Sequence, residues 1–482
     1  MKDSLLELLK KHTQTQIPMH MPGHKRNMAN LPKELPWQID VTEVLPFDNL
    51  QNPQGILKES AKLAADLWQS KQAFFSVGGS TAGILAGIYG LAGRGEQVLI
   101  SRNAHASVYH AIEISGLAPV YLEPKLTEYG FYGSVSAKEV SACIEKFPDI
   151  KLAVITSPTY EGVLSDISAI SEILHEKNIP LFVDAAHGAH LDLPFAAVCG
   201  FPKGALLQGA DLVIHSLHKT LPALTQTAIL HVNSDRIDRS KIAHAMSLFQ
   251  SSSPSYPLIA SIDFCCRFLQ ESGKEYMSEY QKELQKFQQK AKNLKNIKLI
   301  TKAQLKSVFD FDMGKLLMYT GAAKGSTVVE KLRKSYNIEV EMEQRDFFLA
   351  MTSLLDSSEN YENLAKVLRE IDTEMRLLEE AQDIRIRQKT PCAGEQKMLL
   401  EDALKSKNTK LMPLEKAEKH ISAEYVWCYP PGVPLLVPGM EITREFVSWA
   451  AEIGENHTLH STWGEIPRAV MVAETNDSKT LL

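Results

Sequence analysis

Val213-Ile214-His215-Ser216-Leu217-His218-Lys219-Thr220 runs from an apolar strand pattern directly into a serine, a histidine and a lysine. A lysine delivered at the end of a buried strand can form an imine with an aldehyde, while Ser216 and His218 can hydrogen-bond a phosphate. A cofactor that carries both groups is pyridoxal 5'-phosphate, held covalently on Lys219.

Pro180-Leu181-Phe182-Val183-Asp184-Ala185-Ala186-His187-Gly188-Ala189-His190 reads as a second buried strand, this one ending in an acid. Pyridoxal phosphate acts as an electron sink only while its ring nitrogen stays protonated, and a carboxylate beside that nitrogen favours the protonated form. Asp184 is the candidate partner. The interval to Lys219 holds a loop, a short helix and the next strand, the connection that parallel strands need. Both residues therefore fall at the carboxyl edge of one sheet, and a core strand ending in an acid by chance is the bland alternative.

Ala73 to Gly83 supplies a phosphate cradle: an apolar strand meets Gly78-Gly79, and Ser80 and Thr81 stand where N-caps belong before a helical run from Ile84 to Leu91. Free amides and the helix dipole favour an anion there, although such a turn often only caps a helix. Ser101-Arg102-Asn103-Ala104-His105-Ala106-Ser107 follows the strand Gln97 to Ile100, which puts His105 where an imidazole can stack on the cofactor ring.

The 482 residues allow two or three domains, and 44% hydrophobic content fits an ordinary soluble enzyme. A net charge of −6 gives no basic field for nucleic acid or an anionic membrane. The six cysteines, at 143, 199, 265, 266, 392 and 428, show neither zinc-site nor disulfide spacing, so no metal is expected and the thiols suit the cytoplasm. No signal segment or membrane-spanning run is recognised.

From residue 70, apolar runs at 72–77, 97–100, 118–122, 152–156, 180–184, 210–215 and 226–232 alternate with helical patterns. This predicts an α/β fold: a mainly parallel seven-stranded sheet covered by helices, its last strand antiparallel because it follows Lys219 too closely for a crossover helix. Ligands in such sheets bind at the carboxyl ends of strands. Residues 1–69 read as a helix and loop segment, 70–295 as the large domain, and 296–482 as a smaller C-terminal α/β domain with an extension. Within the last, strands are expected at 297–301, 307–312, 338–342 and 347–352, helices at 326–336 and 359–381, and solvated helix and loop at 393–420. Residues 425–439 form a proline-punctuated wall.

Taken together, His20-Met21-Pro22-Gly23-His24-Lys25, Asp40-Val41-Thr42-Glu43, Asp48, Gly79-Ser80-Thr81, His105, Ser157-Pro158-Thr159-Tyr160-Glu161-Gly162, Asp184, His187, Ser216-Leu217-His218-Lys219-Thr220, Ser253-Pro254-Ser255-Tyr256 and Tyr429-Pro430-Pro431-Gly432-Val433-Pro434 resemble the bacterial Orn/Lys/Arg decarboxylase family. Its members have the aspartate-aminotransferase-like fold (fold type I). The resemblance implies that Lys219 carries pyridoxal phosphate, that Asp184 pairs with its ring nitrogen, and that Ser80, Thr81, Ser216 and His218 hold its phosphate. It further implies that His105 stacks on the ring, that His187 lies near the ring edge, and that Ser251 reaches the phosphate of a neighbouring subunit in a homodimer or larger homo-oligomer with shared sites. Two departures stand out. Gly78 replaces the family's frequent asparagine, and the shared core begins almost at once, as in short members without the wing domain that builds decamers.

The implied reaction is loss of carbon dioxide from a basic amino acid, arginine first and then lysine or ornithine, with Lys219 or His218 returning a proton to Cα. An aminotransferase or carbon-sulfur lyase shares the same cofactor groups, with Arg345 available to grip a carboxylate. A non-catalytic cofactor-binding protein and a metal hydrolase built on His187, His190 and Asp192 are more distant alternatives. Glu43, Asp48, Glu161 and Glu424 are the carboxylates considered for the substrate side chain.

Overall fold

In the computed structural model, residues 4–321, 324–378, 394–428, 432–453, 459–463 and 466–474 are described. Two helices precede the main sheet, α1 (Leu5–Thr15) and α2 (Ile56–Leu67). The strands then follow as β1 (Gln72–Ser76), β2 (Gln97–Ser101), β3 (Ala118–Leu122), β4 (Ile150–Thr156), a two-residue β5 (Val163–Leu164) outside this sheet, β6 (Leu181–Asp184), β7 (Leu212–Ser216) and β8 (Ala228–Val232). Their spatial order is β1-β8-β7-β6-β4-β2-β3. Strands β3, β2, β4, β6 and β7 pair in parallel, whereas β8 is antiparallel to both neighbours. All seven expected strands are in it, and the last has the expected direction.

The near-continuous apolar runs exist because both faces are covered. Alternate residues of one strand feed opposite cores: Val183 and Val213 join Val140, Ile170 and Ile259, whereas Phe182 and Ile214 join Ile84, Val108 and Ile242. The helices on the first face include α5 (Ala137–Lys146), α6 (Ile167–Glu176) and the long α9 (Tyr256–Ala291). On the second lie α3 (Gly79–Leu91), α4 (Ala106–Ser115) and α8 (Arg239–Phe249). A four-residue helix, α7 (Leu217–Thr220), follows β7 directly.

The smaller sheet consists of β9 (Lys298–Ile300), β11 (Lys315–Tyr319), β12 (Met342–Glu343) and β13 (Phe347–Met351), in the order β12-β13-β11-β9 and antiparallel throughout. The two-residue β10 (Asp310–Phe311) instead pairs with β5 and ties the small sheet to the large part. Helices α10 (Gly325–Tyr336) and α11 (Ser358–Leu378) accompany it.

The central strand β11 falls where no strand was expected, because Lys315 opens it and Leu and Met replace the β-branched residues that signal strands. The expected strand at 307–312 shrinks to β10, and that at 338–342 to Met342–Glu343. Between 393 and 420, beside the short helix Leu400–Leu404, the structure has a strand, Thr409–Pro413, paired with Ala469–Ala473. Of the proline-punctuated wall, Tyr429, Pro430 and Pro431 lie outside the described residues, and Pro434–Leu436 is a strand paired with Val426–Cys428. Among the described residues, no helix is long and apolar enough to cross a membrane.

Candidate active site

Parallel pairing of β6 with β7 sets Asp184 opposite Ile214, so Asp184 and the Ser216-to-Thr220 turn leave the sheet at the same edge. Asp184 is 3% exposed, and its Oδ1 accepts from the Ala186 amide at 3.1 Å. The following loop is held from behind: Trp68, fully buried, donates from Nε1 to the Ala189 carbonyl at 2.9 Å. Lys219 Nζ lies 2.9 Å from His187 Nε2. Burial lowers the Lys219 pKa, while the charges of Asp184 and Glu341 oppose the shift. The amine is thereby moved toward its neutral, nucleophilic form.

The charge of Asp184 also acts on His105, as does that of Lys219, so these three face one space. His105 is the N-cap of α4 and its Nδ1 accepts from the Ser107 amide at 3.2 Å. Beside it, the buried Arg102 donates to the carbonyls of Pro434 at 2.6 Å and Leu435 at 2.8 Å. That clamp fixes the C-terminal segment against the loop bearing His105.

Ser80 and Thr81 are not N-caps. Gly78 takes that position and α3 begins at Gly79, which puts both residues in the first turn, where amides have no partner inside the helix. Gly79 has φ +70 and open space around any added Cβ. Two further glycines let α3 lie close on the sheet: a Cβ at Gly83 would meet Ile214 Cδ1 at 2.4 Å, and one at Gly87 would meet Phe182 Cε1 at 2.6 Å. The amino end of α3 is thus brought over the end of β7. Gln226 and Thr227 join the two turns, since Gly79 N donates to the Gln226 carbonyl at 3.0 Å and Leu217 N to the Thr227 carbonyl at 3.1 Å. The sequence reading missed this pair; their only signal is position, just after the lysine turn.

Ser216 Oγ is buried without a hydrogen-bond partner, which suits a hydroxyl awaiting an acceptor. His218 Nδ1 lies 3.2 Å from the Thr227 carbonyl. With Nδ1–H engaged there, His218 can donate to an anion through Nε2 only when protonated. Burial and Lys219 lower its pKa, so a bound anion is what would restore the proton. Ser251 sits in the loop between α8 and α9, bonded to Ser253 and Gln51; its neighbour Gln250 accepts from the Val77 amide at 3.0 Å. That places Ser251 beside the Gly78 turn, in an exposed loop.

A cleft of about 280 Å³ opens between His218, Lys219 and Thr220 on one side and Met351, Thr352 and Asp356 on the other. A larger cavity of about 580 Å³, between α11 and the segments 336–340 and 350–352, contains none of Lys219, Asp184, His105 or His187, so volume does not identify the site.

Several expected candidates lie apart. Glu424 accepts from the amides of Met471 and Trp463, and Asp48 closes its own loop by accepting from Gln54 and Gly55. Glu161 feels the field of Lys315 and so borders the site. Arg345 lies 3.8 Å from Asp346 in the turn between β12 and β13. His190 faces Asp312 and Asp192 faces His215, so these two do not converge with His187 on one point. In the N-terminal loop His24 pairs with Asp40 at 3.1 Å. Lys315, buried beside His187, carries no signal in the sequence.

Comparison with known proteins gives this arrangement a context. The family model for the Orn/Lys/Arg decarboxylase major domain matches residues 5–324, and that for the C-terminal domain matches residues 389–452. Arginine decarboxylase of Bacillus subtilis (strain 168) is 31% identical over 456 residues, covering 92% of this chain and 91% of its own. Arginine decarboxylase of Halalkalibacterium halodurans is 29% identical over 454 residues, covering 92% and 91%. Among solved structures, the Francisella novicida lysine decarboxylase LdcF superposes with a TM-score of 0.82 at 20% identity, covering 98% of this chain and 81% of that one, a likeness of fold.

Proposed function

The chain belongs to the Orn/Lys/Arg decarboxylase family and is a decarboxylase of basic amino acids, and on that premise we propose that arginine is its substrate and pyridoxal 5'-phosphate its cofactor, attached at Lys219. The residues fit that cofactor. A lysine amine whose pKa burial lowers, an acid at the same sheet edge, a helix start with free amides and an unsatisfied buried serine hydroxyl match its aldehyde, ring nitrogen and phosphate in turn. From the family resemblance we further propose a homodimer in which Ser251, in the loop between α8 and α9, serves the partner's phosphate.

When bound, pyridoxal phosphate supplies an electron sink for the pair left on Cα as the carboxyl group departs. Asp184 would hold a proton on the ring nitrogen of the bound cofactor and so keep that sink electron-poor. Ser80, Thr81, Ser216 and His218 grip the phosphate through amides, hydroxyls and a protonated ring. His105 would pack against the bound cofactor, and His187 orients the Lys219 amine from 2.9 Å. Lys219 and His218 are the two groups at this sheet edge that could return a proton to the substrate Cα.

The observation that carries this reading is Lys219 in the short helix that follows β7, at the same sheet edge as Asp184 at the end of β6. Its test is carbon dioxide release from arginine, lysine and ornithine side by side, with borohydride trapping to locate the cofactor. We expect arginine to be turned over fastest and the trapped mass to map to Lys219. Keto-acid formation without carbon dioxide would replace the proposal with a transaminase.

A further inference from the structure

Lys315 is a buried lysine that the reaction above does not use. It opens β11 in the small sheet, is 2% exposed, and its Nζ lies 3.0 Å from His187 Nδ1. The other ring nitrogen, Nε2, lies 2.9 Å from Lys219 Nζ. Local backbone admits the long side chain: Gly162, at φ +106, leaves the space in which a Cβ would fall 2.7 Å from Lys315 Cγ. Lysine is among the residues least often buried, so a placement this specific calls for a role.

Proton counting at His187 supplies one. Burial first, then the two lysines, hold its pKa well below the usual value, so the ring is neutral with one N–H and one lone pair. Such a ring accepts from one amine and donates to the other. Two ammonium groups would leave one of them facing an N–H, so the bridge admits at most one positive charge. The groups facing Lys315 are Asp312 from its own turn, Glu161 from the loop after β4, Glu341 from ahead of β12, and His187 and Lys219 from the large sheet. Lys219 faces Asp184 and Glu341, and His187 faces His105 and His218 as well as the two lysines.

We propose that Lys315 is a positioning residue that holds the single charge of a Lys219–His187–Lys315 bridge, so that Lys219 stands as a neutral nucleophile. This rests on the attachment of the cofactor at Lys219. The proton leaves Lys219 Nζ for His187 Nε2 while Nδ1–H passes its proton to Lys315 Nζ, and the ring ends neutral in its other tautomer. The neutral amine then attacks the aldehyde carbon, a carbon–nitrogen double bond forms and water departs.

The test loads apo-protein with pyridoxal phosphate across a range of pH, following adduct absorbance and trapping the product with borohydride. Lys315→Met is expected to move the midpoint of loading about one pH unit alkaline, roughly a tenfold slowing near neutrality. His187→Gln, which leaves Lys315 in place but removes the bridging ring, is expected to shift it the same way and decides the matter if Lys315→Met fails to fold. A change in plateau rate with an unmoved midpoint would reject the role of Lys315, because lost attraction for the anionic cofactor or altered packing acts alike at every pH. Absence of a trapped adduct at Lys219 in the wild-type protein would instead reject the attachment itself.

Discussion

Lys219 and Asp184 divide two tasks, attachment and electron withdrawal, and single substitutions separate them. Lys219→Ala removes the attaching amine, so we expect no borohydride-trapped mass on that peptide and a loss of carbon dioxide release of at least about a thousandfold. Asp184→Asn keeps the acceptor for the Ala186 amide but loses the charge that holds a proton on the ring nitrogen. Turnover should fall by roughly a hundredfold to a thousandfold while trapping at Lys219 persists. The sign of a second effect follows from the same charge: Asp184 raises the Lys219 pKa, so its removal should let loading begin at lower pH. Unimpaired turnover by Asp184→Asn would show that the ring nitrogen is served by another group.

At the scale of elements, the phosphate turn depends on how closely α3 lies on β6 and β7. Gly87 is where a Cβ would meet both Phe182 and Leu212, at 2.6 and 2.8 Å, and neither can yield easily inside a packed core. We expect Gly87→Ala to lower stability by about 1–3 kcal/mol, read by denaturant unfolding, and to weaken pyridoxal phosphate binding as the amino end of α3 is displaced. Unchanged affinity in a destabilised variant would mean that the turn keeps its place without the close packing of α3 at Gly87. The large sheet was legible in the sequence because both faces are buried and its strands are unbroken apolar runs. Asp184, Lys219 and His105 were legible for a related reason, since Asp184 closes such a run and the other two follow one within four residues. β11 was not, because its first residue is a lysine that is buried only through the fold's long-range pairing, and strand patterns in sequence cannot tell a buried lysine from a solvated one. Gln226 and Thr227 escaped because the bonds that join the two turns are accepted by their backbone carbonyls, which carry no residue signature.

For the whole molecule, the buried Lys315 is a stability cost as well as a functional group. Its pKa falls from 10.5 to about 8, with burial outweighing the attraction of Asp312. A lysine that binds its proton more weakly when folded penalises the fold wherever the unfolded chain is protonated and relieves it as pH rises. Below about pH 8 both states carry the proton and the full cost is present; between about pH 8 and 10.5 only the unfolded chain keeps it, so stability climbs with pH. The shift corresponds to roughly 3 kcal/mol at most. In apo-protein, Lys315→Met should therefore be more stable than wild type near pH 7.5 by one to a few kcal/mol, and that gap should narrow as pH approaches about 10. Denaturant unfolding at the two pH values measures it. A variant less stable than wild type by the same margin at both would show that the lysine stabilises the fold through packing, and that its burial carries no electrostatic cost for function to offset.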